Sequence, residues 1–152
     1  MRKALGILLA VMLLAAGCAA GEETARLPES RYALRLPEGM IYDGPTEGTR
    51  EVCAYLSGEM GLEVHVFRYD TGMTDVIAQA LAAGATDMGM TAVNGIQMMT
   101  FRFPAEEDGW QGVSYILEDG DGTTEIRFWY STQEAADMTK TIMESIEDTE
   151  TV

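Results

Sequence analysis

The chain reads as an α+β protein: an α/β/α sandwich with about six to seven mostly antiparallel strands between two amphipathic helices. Three observations lead there. Alternating apolar segments are joined by short turns, of which Asn94-Gly95 and Asp119-Gly120-Asp121-Gly122 are the clearest, and such turns make neighbouring strands antiparallel. Two stretches switch from alternation to three- and four-residue spacing, the helical period. Finally, Ile116-Leu117 and Phe128-Trp129-Tyr130 are apolar on both faces of their strands. A sheet solvated on one side alternates instead, so these central strands are expected to be covered on both.

Taken in order, Tyr32-Ala-Leu-Arg-Leu36 alternates and is closed by Pro37-Glu38-Gly39. The run from Asp43 to Gly48 is a loop by its Gly and Pro punctuation. Glu51–Ser57 and Leu62–Tyr69 are two strands joined through Gly58-Glu59-Met60-Gly61. In the second, Leu62, Val64 and Val66 share one face while Glu63, His65, Phe67 and Tyr69 share the other. Met73, Val76, Ile77, Ala80, Leu81 and Gly84 predict a helix, with Thr71 or Thr74 as its cap. Met88–Val93 and Ile96–Phe103 form a hairpin, and Gly112–Glu118 and Thr123–Tyr130 another. Ser131 and Glu134 stand in capping-box spacing before a last helix with Ala135, Met138 or Thr139, Ile142, Met143 and Ile146 on its apolar stripe.

This order of elements resembles the PsbP-like superfamily. Tyr32-Ala-Leu-Arg-Leu-Pro-Glu-Gly-Met40 is similar to that family's opening strand and turn, with Met40 where tryptophan is usual. The likeness continues through the mid-chain helix, the Val93-Asn94-Gly95 hairpin and the closing Ile142-Met143-Glu144-Ser145-Ile146, and covers Arg31 to Glu147. The superfamily includes PsbP of photosystem II, a Ran-binding import factor and bacterial envelope lipoproteins of the DcrB and LpqN type. The resemblance implies a non-enzymatic, protein-associating habit and transfers no catalytic residue.

The N-terminus carries an address. Arg2 and Lys3 precede an apolar run from Ala4 to Ala16, and Leu14-Ala-Ala-Gly-Cys18 resembles the lipobox of bacterial lipoproteins. The expected division is a signal peptide over residues 1–17, a lipidated Cys18 with a polar tether over 18–30, the folded domain over 31–148 and a tail over 149–152. In such proteins cleavage leaves the acylated cysteine as the first residue. Cys18 is therefore the expected lipidation site, anchoring the domain on the extracytoplasmic face of a bacterial envelope membrane; two or more acyl chains hold a protein stably.

Charge and cysteine content narrow the rest. After the leader, eight basic residues (Arg26, Arg31, Arg35, Arg50, Arg68, Arg102, Arg127 and Lys140) face 25 acidic ones. That field repels phosphate backbones and argues against nucleic-acid binding. With Cys18 acylated, Cys53 has no disulfide partner in the chain and reads as a small buried hydrophobe.

Catalytic chemistry has little to stand on. His65 is the one histidine, it lies mid-strand, and no Gly-x-Ser-x-Gly elbow is present. Zinc of the usual kind needs several His or Cys ligands. Asp119, Asp121 and Glu125 offer three oxygens to Ca²⁺, but Thr123 replaces the third acid of a calcium loop and a hairpin turn selects the same Asp-Gly string. Nine methionines after the leader, including Met88-Gly-Met90 and Met98-Met99, suit either core packing or Cu(I). Phe101, Phe103, Trp110, Tyr115, Trp129 and Tyr130 are core candidates of which an uncovered subset would form a binding patch. The expectation is a non-catalytic, cofactor-free module that binds a protein partner or small ligand, with a metal carrier using methionine or the Asp-Gly loop as the alternative.

Overall fold

In the computed structural model, which describes residues 22–151, the strand Gly122–Tyr130 is the axis on which both layers close. In chain order the elements are β1 (Glu22–Arg26), β2 (Tyr32–Pro37), β3 (Ile41–Asp43), β4 (Glu51–Ser57), β5 (Leu62–Tyr69), α1 (Met73–Ala82), β6 (Thr86–Val93), β7 (Ile96–Phe103), β8 (Gln111–Asp119), β9 (Gly122–Tyr130), α2 (Gln133–Glu144) and β10 (Glu147–Asp148). The main sheet has seven strands in the order β3-β4-β5-β9-β8-β7-β6, each antiparallel to its neighbour. A second sheet has the order β1-β2-β10.

The two-sided cover expected from the apolar runs is present. On one face Val64, Leu117, Ile126 and Phe128 pack with Leu34 and Leu36 of β2 and with Ala135, Ile142 and Met143 of α2. On the other, Val76 and Ala80 of α1 pack on Phe101, Phe103 and Ile116. The fold is thus α+β, with two helices on opposite faces of a mostly antiparallel sheet.

Several expectations need correcting. Residues 22–26 are not tether: they pair with β2 from Glu22↔Pro37 to Arg26↔Ala33. Main-chain pairing does not depend on side-chain polarity, so this mostly exposed Glu-Glu-Thr-Ala-Arg strand shows no apolar alternation to read. Leu27, 2% exposed, then plugs the core. The folded region also runs past residue 148. β10 pairs with β2, and Thr149 donates its backbone N–H to the Arg31 carbonyl at 2.8 Å. Arg31 Nε donates to Asp148 Oδ1 at 3.0 Å, and that guanidinium holds the Asp148 carboxyl well below the usual carboxylate range. The helix caps shift as well. Gly72 precedes α1 without a side-chain cap, and Thr132, not Ser131, caps α2 by accepting from the Ala135 N–H at 3.1 Å.

Asn94 and Gly95 have φ of +53° and +79°, the left-handed pair that a tight two-residue hairpin requires. The Asn94 side chain donates to the Ile146 carbonyl at 2.8 Å and to that of Glu144 at 3.1 Å. The hairpin tip is thereby tied to the end of α2.

Candidate functional site

The leader and Cys18 lie outside the described residues. Among the residues that are described, the sequence candidates separate from one another. His65 on β5 is held between two carboxylates, Nε2 at 2.9 Å from Glu63 and Nδ1 at 3.3 Å from Glu51. Neither contact is a hydroxyl or thiol that a base would activate. Asp119 and Glu125 point to opposite faces of the sheet: the Asp119 carboxylate accepts from Ser30 (2.7 Å) and Thr124 (2.6 Å), whereas Glu125 faces α1. The three oxygens of the Asp-Gly string therefore do not converge on one ion.

Cys53 is fully buried, and burial pushes its thiol up to about 11. At pH 8 only about one thiol in a thousand is then ionised, even before access is counted. Native full-length protein is expected to leave Cys53 unmodified by Ellman's reagent at pH 8 over an hour, and denaturant to release it within minutes. Rapid native labelling at Cys53 would contradict the packing described.

Sequence reasoning missed a buried polar network. Glu125, 1% exposed, accepts at Oε1 from Ser114 Oγ (2.5 Å), Arg127 Nε (2.9 Å) and Arg127 Nη2 (2.7 Å), and at Oε2 from the Tyr69 hydroxyl (2.7 Å). The Arg127 guanidinium is also stacked on Phe67 and Phe103, 4.8 and 4.6 Å from their ring centres. Burial, reinforced by the Glu125 carboxylate, pushes the Tyr69 phenol up. The signal was available in β9, where Glu125 and Arg127 are two residues apart and so share a face.

Two concavities stand out. The first arises because β7 and β8 part company: their pairing ends at Met99↔Ile116, although β7 continues back to Ile96 and β8 on to Asp119. The gap holds a cavity of about 550 Å³. Met73, Met90, Met98 and Met99 line it together with Tyr32 and Glu118. Met90 and Met99 are direct cross-strand partners, which puts two thioethers side by side. The Tyr32 hydroxyl donates to the Glu118 carbonyl at 2.6 Å within the gap. Met90 is 73% and Met88 56% exposed, so these methionines are not core filler.

The second concavity, of about 360 Å³, lies on the α2 face of the sheet, between the first turns of α2 and strands β7, β8 and β9. Gln133, Ala136 and Lys140 line it from the helix, at i, i+3 and i+7 on one stripe. Arg102 and Val113, register partners on β7 and β8, line it from below with Tyr115 and Tyr130. The aromatic residues singled out in the sequence thus divide: Phe101 and Phe103 are buried, while Tyr115 and Tyr130 are part-exposed walls of this pocket.

No protein-family model and no curated protein matches the chain. Solved structures do. The solution structure of cyanobacterial PsbP (CyanoP) from Synechocystis sp. PCC 6803 aligns with a TM-score of 0.57 at 14% identity, covering 85% of this chain and 93% of that one. A crystal structure from Bacteroides thetaiotaomicron VPI-5482 aligns with a TM-score of 0.55 at 15% identity over 84% of this chain, which spans 48% of that longer protein. Identity this low speaks to backbone architecture alone. On that ground, and on the strand order and helix placement above, the fold is PsbP-like.

Proposed function

We propose that this chain is a bacterial envelope lipoprotein, of the DcrB or LpqN type, held by acyl chains on Cys18 and presenting a non-catalytic binding domain on the extracytoplasmic face. The observation that carries the binding role is the opening between β7 and β8, a concave site of about 550 Å³ beside the exposed Met88 and Met90. Methionine is unbranched and polarizable, and a surface built from it adapts to an apolar partner or ligand. The site has no base–nucleophile pair, and the ring nitrogens of His65 are occupied by carboxylates elsewhere. The address rests on the lipobox resemblance.

Two experiments test the two halves of this reading. Mass spectrometry of the mature protein is expected to show acylated Cys18 as its first residue, and Cys18→Ser to abolish incorporation of labelled fatty acid; an unmodified N-terminus or a mature start elsewhere defeats the anchor. A photoreactive methionine analogue at position 90 of the full chain is expected to give a discrete adduct in intact cells, and one at the exposed loop position 47 none. Equal labelling from both positions, or none from 90, defeats the binding role.

A second reading is favoured by the same opening. Met73, Met90 and Met99 bring three soft thioethers to one cavity, and thioethers select Cu(I). Competition with a colorimetric Cu(I) chelator decides it: uptake of one equivalent that is lost in Met90→Leu supports copper, and no uptake removes it.

A further inference from the structure

The pocket under α2 is chemically out of character with the rest of the molecule. The chain carries 25 acidic residues against ten basic ones, yet among the described residues no Asp or Glu lines this pocket. Arg102 and Lys140 both line it. The other arginines that could neutralise a ligand are largely occupied: Arg31 with Asp148, Arg35 with Glu147, Arg50 with Asp70 and Arg127 with Glu125. Arg102 and Lys140 join no ion pair among the described residues, as is also true of Arg26 on β1 and of Arg68, whose guanidinium donates to the Tyr69 and Asp119 carbonyls, but only Arg102 and Lys140 line this pocket. Asp87 and Glu144 border a separate, adjoining depression that shares these two cations, and neither carboxylate comes within ion-pair distance of them.

Neutral donors complete the set. The hydroxyls of Tyr115 and Tyr130 make no hydrogen bond to any described residue, and the Gln111 side-chain amide lines the same space, whereas Gln133 already donates its amide to Asp137 Oδ1 at 3.0 Å. Burial pushes the Tyr115 phenol up while the Arg102 guanidinium pulls it partly back, which fits a cation set close to that hydroxyl. Two unpaired cations match a ligand bearing two negative charges better than one bearing a single charge. A phosphate monoester carries about −1.5 to −2 at neutral pH and three acceptor oxygens. Arginine's planar fork suits those oxygens, and lysine adds a point charge. The tyrosine rings and Val113 leave an apolar wall for an attached organic group.

We infer that this pocket is a binding site for a phosphate monoester, with Arg102 and Lys140 neutralising the phosphoryl group and Tyr115 and Tyr130 donating to its oxygens. The site is separate from the methionine-lined opening and does not depend on it. An electronegative protein that still offers one basic recess selects small phosphoryl compounds over polyanions, because a long phosphate backbone meets the surrounding acidic surface while a compact ligand does not.

The test is calorimetric titration of the purified full chain in detergent, with phenyl phosphate and inorganic phosphate as probes and acetate at equal ionic strength as the control. Saturable binding of one equivalent of phenyl phosphate is expected, with inorganic phosphate weaker and acetate silent. Arg102→Gln and Lys140→Gln should each weaken binding at least tenfold, Arg102→Lys less, and Arg26→Gln on β1 not at all. Both cations are exposed, so circular dichroism should show the variants folded. Absence of saturable binding, acetate binding as well as phosphate, or full affinity in Arg102→Gln overturns the inference. Crosslinking from position 90 is read separately, so either site can fail without the other.

Discussion

Glu125→Ala is expected to lower folding stability by about 3–5 kcal/mol, the loss typical when one member of a buried charged pair is removed. The carboxylate accepts four hydrogen bonds, and its removal strands Ser114, Tyr69 and the half-buried Arg127 together. The arginine cannot escape by losing its proton, since its charge persists at every physiological pH. Some of its cost is offset by the Phe67 and Phe103 rings and by its remaining exposure to water, so the lower end of the range is the firmer expectation. A domain of this size has about 5–15 kcal/mol in hand, so about a fifth or more is at stake. Urea unfolding should show a reduced midpoint at unchanged slope. Removing both charges in Glu125→Ala/Arg127→Ala should cost less than the two single losses summed, because neither is then left alone. A single variant within about 1 kcal/mol of the parent would show that the network carries little.

That network also marks the limit of what the sequence disclosed. Strand positions from β4 to β9 and both helices follow from spacing and turns, because there the buried face alternates and the hairpin residues punctuate it. β1 and β10 did not follow, since each is held by main-chain pairing to β2, with the Arg31–Asp148 contact added at β10, rather than by an apolar stripe. Glu125 was readable as a turn-borne oxygen because it lies three residues past the Asp-Gly string. Its burial depends on α1 crossing that face, and on Ser114 and Tyr69 arriving from strands on either side. The pocket under α2 was still further from view. Arg102, Tyr115 and Lys140 are far apart in sequence, and only the position of α2 over the sheet brings them to one space. The opening between β7 and β8 was equally hidden, since the register of that pair ends where the sequence alternation does not.

Phe128→Ala should be as damaging by a different route, about 3–5 kcal/mol through lost burial and the cavity left behind. Phe128 is fully buried in the C-terminal half of β9, with Val64 and Val113 as its register partners on either side. Its ring meets that of Tyr115 edge to face, centres 5.9 Å apart and planes at 88°. The floor under α2 is rigid there because strands flank it on both sides, so little collapse can relieve the void. Phe128→Leu keeps most of the volume and should cost less than half as much. Met90→Ala, at an exposed site on β6, is expected to stay within about 0.5 kcal/mol of the parent. Tyr115 also lines the basic pocket, so loss of its aromatic neighbour should weaken phenyl phosphate binding at temperatures where the domain is still folded. Thermal unfolding of the three variants, followed by titration of those that fold, separates the effects. A Phe128→Ala protein that unfolds with the parent would mean that the core on the α2 face is looser than its packing implies.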